Sequence, residues 1–136
     1  AVPELPISIE IEKQREHIDT LFPLVDLCLF SKGYAQTNGY TDAHQFLTSL
    51  SRQVSGVDLV CAWGDRGASA CSRQGVVEYR GAVVQDHVID TLGAGDVLNA
   101  GIIHSLLSGM SLEDGLEFSC QLAGKKCAQS GIRDLV

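Results

Sequence analysis

Two short apolar runs constrain this chain more than any other feature: Val25-Asp26-Leu27-Cys28-Leu29-Phe30-Ser31 and Val57-Asp58-Leu59-Val60-Cys61-Ala62-Trp63. Each has the length of a buried strand, and residues at helical spacing lie between them. Strands alternating with helices imply a parallel sheet with helices on its faces, since parallel neighbours need a crossover. Other elements follow from the same periodicities. Pro6 to Glu12 alternates apolar and polar residues, which predicts a half-buried strand. Lys13 to about Leu21 reads as a charged helix stopped by Pro23. Lys32 to Tyr40 is a loop or short helix, and Thr41 is placed to cap a helix running to about Val54. Gly64 to Gly67 is a turn, and Ala68 to Cys71 with Val76 to Tyr79 forms a hairpin across Ser72 to Gly75. Val97 to Leu107 is helical, with Leu98, Ile102 and Leu106 in register beside Ile103 and Leu107. After Gly109, Ser111 opens a last helix whose apolar stripe is Leu112, Leu116, Cys120, Ala123 and Cys127, and Asp114 completes a loose capping box. The class is α/β: a mostly parallel sheet with flanking helices and a hairpin inserted before the last helical pair.

The chain has 136 residues, enough for one domain with a sizeable core. Its net charge is −7, and its ten lysines and arginines are scattered apart from Lys125-Lys126. No basic stripe or aromatic-basic interleaving is present, which argues against nucleic-acid and membrane-surface partners. Any anionic ligand would need short-range donors, because the general field is repulsive. Five cysteines at no metal-like spacing fit a reduced, cytoplasmic protein, and the four histidines share no ligand spacing, so no metal site is expected. No apolar run reaches the roughly 18 residues of a membrane span. The chain opens on Ala1 rather than Met, which suggests a piece cut from something longer.

Asp90-Thr91-Leu92-Gly93-Ala94-Gly95-Asp96 lies between a strand-like run and a helix start. Ligands of α/β folds bind at the carboxyl ends of strands, and the first turn of a helix offers unpaired amides and partial positive charge. Gly93, Ala94 and Gly95 carry almost no side chain, so a phosphate oxygen can approach their amides closely. A carboxylate is a poor phosphate ligand, so Asp96 makes sense as a general base that deprotonates an attacking hydroxyl. The alternative is that the glycines serve packing and that Asp96 caps the helix.

The stretch Asp90-Thr91-Leu92-Gly93-Ala94-Gly95-Asp96-Val97-Leu98-Asn99-Ala100-Gly101-Ile102-Ile103 resembles the carboxy-terminal signature of ribokinase-type sugar kinases, the PfkB family. Leu59 to Ala68 resembles that family's upstream nucleotide-binding strand and loop. Cys120 to Cys127, with Phe30-Ser31-Lys32 and Cys61-Ala62-Trp63, resembles the branch that phosphorylates fructose at its 1-hydroxyl. The resemblance implies a ribokinase-like, Rossmann-like fold and transfer of phosphate from ATP to a ketohexose. Carried over residue by residue, it implies Asp96 as catalytic base touching the acceptor hydroxyl, and Gly93, Ala94 and Gly95 as anion hole. It implies that Gly64, Asp65, Arg66 and Gly67 line the nucleotide site, with Gly67 permitting close backbone approach, and that Ala123 and Cys127 sit near the adenine. Asp90 would support the loop or hold a monovalent cation, K+, and Mg2+ would arrive with ATP.

Departures from the family are specific. Relatives usually carry Thr-Phe after the catalytic aspartate, where this chain has Val97-Leu98. Many carry an Asn-x-x-Glu motif where this chain reads Ser31-Lys32-Gly33-Tyr34-Ala35. Nothing matches the family's amino-terminal half, which supplies most sugar contacts, a lid and a dimer clasp. Residues 1–136 are therefore expected to be the carboxy-terminal, nucleotide-binding side of a kinase whose full-length parent is a homodimer. The strand near Ile7 to Ile11 should then be an exposed sheet edge. The competing expectations are a nucleotide-binding fragment without turnover, and a kinase of another sugar or nucleoside on the same fold.

Overall fold

The computed structural model describes residues 5–136, so Ala1 lies outside the described residues. Five strands form one sheet in sequential order: β1 (Ser8–Ile11), β2 (Leu27–Phe30), β3 (Asp58–Ala62), β4 (Ala68–Cys71) and β5 (Val77–Arg80). β1, β2 and β3 pair in parallel, whereas β4 and β5 are antiparallel, so the sheet is mixed in halves. Helices α1 (Lys32–Thr37) and α2 (Ala43–Ser51) link β2 to β3, and α3 (Ala94–Leu107) and α4 (Leu112–Cys127) follow β5.

The pleat explains why the two apolar runs show no polar alternation. Along β2, Cys28 and Phe30 join the core on the α1–α2 side, while Leu27 and Leu29 join the core under α3 and α4. β3 divides likewise, with Leu59 and Cys61 on one face and Val60 on the other. Both faces are therefore dry. On the first face, Phe22, Phe30, Tyr34 and Phe46 pack edge to face, with the Phe30–Phe46 ring centres 5.0 Å apart. On the second, Ala68 and Ala70 of β4 keep the sheet surface low beneath Leu98, Ile102 and Leu116.

The two last helices meet through small residues. A Cβ built on Gly101 would lie 2.6 Å from the Ser119 hydroxyl, and one on Gly115 would lie 2.9 Å from the Ser105 Cβ. Their axes approach closely because no side chain intervenes. Among the described residues β1 has a neighbour on one side only, and Ile7 before it is 54% exposed, as expected of a sheet edge.

Four local expectations require correction. Lys13 to Leu21 is not an α-helix: residues 12–17 are exposed and offer no apolar face, and the chain instead forms a 3-10 turn over Ile18–Leu24 with Pro23 inside it. The turn delivers Phe22 to the core. The cap of α2 is Asp42 rather than Thr41, its carboxylate accepting from the Gln45 amide at 2.7 Å, and the helix ends at Ser51. Leu107 is 68% exposed, so the buried face of α3 runs through Leu98 and Ile102 without it. Finally, α3 begins at Ala94, three residues earlier than Val97.

Candidate active site

The early start of α3 sets the geometry of the glycine turn. Gly93 is the N-cap in the left-handed conformation (φ 80°), a backbone state that glycine adopts at little cost. No side chain caps this helix. Asp96 is therefore not a cap. It is the third helical residue, exposed, where a carboxylate is favoured by the helix dipole. Ala94 N–H donates to the Thr91 carbonyl (3.2 Å) and Val97 N–H to that of Gly93 (2.9 Å). Among the described residues, the amides of Gly95 and Asp96 find no acceptor, and a Cβ added at Gly95 would meet open space.

These amides open beside a cleft of about 600 Å³. One wall is the β3–β4 connection with Gly64, Asp65 and Gly67; another is α4 with Ala123, Gly124 and Cys127. Ala94, Gly95 and Leu98 of α3 form its floor, and Val83, Val84 and Val88 close the remaining side. Seven of the residues expected at the site (Gly64, Asp65, Gly67, Ala94, Gly95, Ala123 and Cys127) thus share one cavity. Gly93 and Asp96 flank it within the same turn. Arg66 does not line it and instead borders a separate depression with Lys32 and Trp63, while its carbonyl accepts from the Tyr79 hydroxyl at 2.8 Å.

Gly67 has a role that the resemblance did not supply. It holds φ 87°, and the place of its missing side chain is filled by backbone: a Cβ would stand 2.0 Å from the Arg80 carbonyl oxygen and 2.6 Å from the Ala82 nitrogen. The close approach it permits is that of the chain's own segment beyond β5. Gly124 does the same from the other side, since a Cβ there would meet the Val83 Cβ at 2.8 Å. The strand-like run expected before Asp90 is not a strand: residues 81–90 are neither strand nor helix, and 83–88 form this wall of the cleft instead. Its clue was the pair of glycines that make room for it.

Val97 and Leu98, which replace the relatives' Thr-Phe, are both buried, and Leu98 packs into the core against β2–β4 while also lining the cleft. Ser31 caps α1, accepting from the Tyr34 amide at 3.0 Å, and takes no part in the cleft.

Asp90 sits at the head of the turn. Its Oδ1 accepts from the Leu92 amide (2.9 Å) and its Oδ2 from the Lys126 ammonium (3.2 Å). The Leu92 amide first, and Lys126 second, hold this carboxyl below its usual range. Lys126 also donates to the Asp90 carbonyl at 3.0 Å. Asp90 is thus bonded both within its turn and to α4, as a loop-supporting residue would be. No cluster of three or more His, Cys, Asp or Glu side chains among the described residues could hold a metal ion.

All five cysteines are free thiols. Burial pushes Cys28 and Cys61 up to about 12 and Cys120 up to about 11, and raises Cys71. Cys127 is half-buried and lines the cleft. Iodoacetamide at pH 8 should therefore alkylate Cys127 before the other four, because the thiolate is the reactive form. Peptide mapping showing Cys120 modified as fast as Cys127 would contradict this arrangement.

The geometry accords with three comparisons. The chain is 42% identical to mouse ketohexokinase over 131 residues, covering 96% of this chain and 44% of that protein. It therefore spans under half of that relative's length. A ribokinase-like protein from Agrobacterium tumefaciens superposes with a TM-score of 0.83 at 20% identity, over 95% of this chain and 43% of the other. The adenosine kinase of Sinorhizobium meliloti does so with a TM-score of 0.73 at 27% identity, over 89% and 37%. The fold is ribokinase-like. Residues 35–135 match the pfkB family carbohydrate kinases over most of the chain, and the chain belongs to that family.

Proposed function

We propose that the protein carrying this sequence is an ATP-dependent sugar kinase that converts fructose to fructose 1-phosphate. The observation that supports this most is the pairing of unengaged helix-start amides at Gly95 and Asp96 with an exposed carboxylate, beside an apolar cleft of nucleoside size. In this reading the adenine lies between Ala123, Cys127 and the 83–88 wall, and Gly64, Asp65 and Gly67 border the nucleotide. The phosphate chain runs to the Gly93–Gly95 turn. Asp96 takes the proton of the sugar hydroxyl as its oxygen attacks the terminal phosphorus. The turn amides stabilise charge on the transferring group and the leaving ADP takes up the released electron pair. Mg2+ would arrive with the nucleotide and would supply neutralisation of its phosphate charge, needing few protein ligands. The acceptor preference is taken from the likeness to mouse ketohexokinase. Among the described residues no helix is long and apolar enough to cross a membrane. A cytoplasmic homodimer is the setting proposed for the full-length protein.

The test is sugar-dependent ADP release by the intact protein, offered fructose, ribose, other hexoses and adenosine. Fructose should be phosphorylated fastest, with the phosphate on its 1-hydroxyl. Faster turnover of adenosine or ribose would favour a different acceptor on the same fold, a reading supported by the similarity to an adenosine kinase. A second reading rests on the chain's spanning 44% of its ketohexokinase relative. By itself, this 136-residue segment is a nucleotide-binding unit, the carboxy-terminal part of the kinase domain. It should bind an ATP analogue weakly and release no ADP.

A further inference from the structure

Lys126 is the only buried lysine or arginine among the described residues, at 1% exposure. Burying an ammonium is costly unless its charge and all three protons are answered. Here they are: Nζ donates to the Asp90 carboxylate at 3.2 Å, the Asp90 carbonyl at 3.0 Å and the Gln129 carbonyl at 3.5 Å. The backbone repeats the connection, since Ile89 and Asp90 N–H both donate to the Cys127 carbonyl at the end of α4, at 2.8 and 3.2 Å. Asp90 passes the constraint forward through its bond from the Leu92 amide, directly before Gly93. The N-cap of α3 has no side-chain bond of its own. Its orientation is set from outside the helix.

We infer that Lys126 is a positioning residue, a fixed internal cation that locks the Asp90–Leu92 turn and thereby aims the Gly93–Asp96 amides. The inference rests on the kinase reading above. Lys126 and Asp90 form a charge-neutral pair, so Lys126 acts through geometry rather than by attracting phosphate. A turn released by a fraction of an ångström would still admit the nucleoside, because the apolar end of the cleft does not depend on it. It would lose the alignment needed for transfer, and misplacement on the order of 1 Å costs roughly 10²-fold in rate.

The experiment uses the intact protein and compares wild type, Lys126→Met, Lys126→Ala and Asp90→Asn. Binding of adenosine and of a non-hydrolysable ATP analogue is measured by calorimetry, alongside kcat and KM. The expected result is that wild type prefers the analogue over adenosine and that Lys126→Met abolishes the preference without weakening adenosine binding. Its kcat should fall by roughly 10²-fold with little change in sugar KM. Propylammonium should restore part of the kcat of Lys126→Ala, which loss of packing alone would not allow. Retained analogue preference and kcat in Lys126→Met, or no rescue by the amine, would overturn the role. If Lys126→Met does not fold, Asp90→Asn carries the test: the same loss is expected, and an unchanged preference and kcat would overturn it. A wild-type protein that binds the analogue no better than adenosine would overturn the kinase reading itself, and this role with it.

Discussion

Asp96→Asn in the intact kinase should lower kcat by roughly 10²–10⁴, the usual worth of a positioned general base. Binding of an ATP analogue should remain nearly intact. Asparagine matches the shape of aspartate but cannot accept the proton of the attacking hydroxyl. Structural side effects should be small, since the N-cap is Gly93 and Asp96 is exposed at the third position of α3. Removing its charge forfeits only the dipole term, about 0.3–1 kcal/mol. Steady-state kinetics with saturating sugar and calorimetry with the analogue provide the measurements. A wild-type kcat would reduce Asp96 to a charge that balances the helix.

Gly67→Ala should be the most destabilising glycine substitution near the cleft, on the order of 3 kcal/mol. Two costs coincide. The backbone at φ 87°, ψ −136° is a region nearly closed to residues with a Cβ, and that Cβ would overlap the backbone of Arg80 and Ala82. Neither neighbour can yield as a side-chain tip could. Gly64→Ala is the internal control: it also has positive φ (60°), but its Cβ would meet open space, so a loss of only roughly 1–2 kcal/mol is expected. Urea unfolding of both variants tests the difference. Because residues 80–82 lead directly into the 83–88 wall, Gly67→Ala should also weaken nucleotide binding. Equal stability of the two variants would mean that the crowding at Gly67 relaxes freely.

The sheet core was legible because its signal is local: strands wet on neither face must be apolar throughout, as Val57 to Trp63 is. The hairpin and the Ser111 cap were legible for the same reason, their turn chemistry lying within a few residues. The start of α3 was not, because Gly93 and Gly95, poor helix formers, flank Ala94. The turn before them is bonded to Lys126, 36 positions from Asp90, a contact that no local pattern signals. The cleft was half legible. Residues on regular elements, such as Ala123 and Cys127, could be matched to a motif, whereas Val83, Val84 and Val88 take their place only because Gly67 and Gly124 leave room on either side. In the sequence, Lys126 stands out only as half of the Lys125-Lys126 pair. Nothing in a lysine's immediate neighbours announces that it turns inward.

The tight contacts of Gly101 with Ser119 and of Gly115 with Ser105 have a mechanical consequence. Helices meshed that closely cannot slide past one another without collision, so they move as one plate. Ala94 and Gly95 line the cleft from one helix and Ala123 and Cys127 from the other, so the spacing between those two ends is held nearly constant. On the proposed kinase reading, a nucleotide of the wrong length would be refused rather than accommodated, as if measured with a rigid ruler.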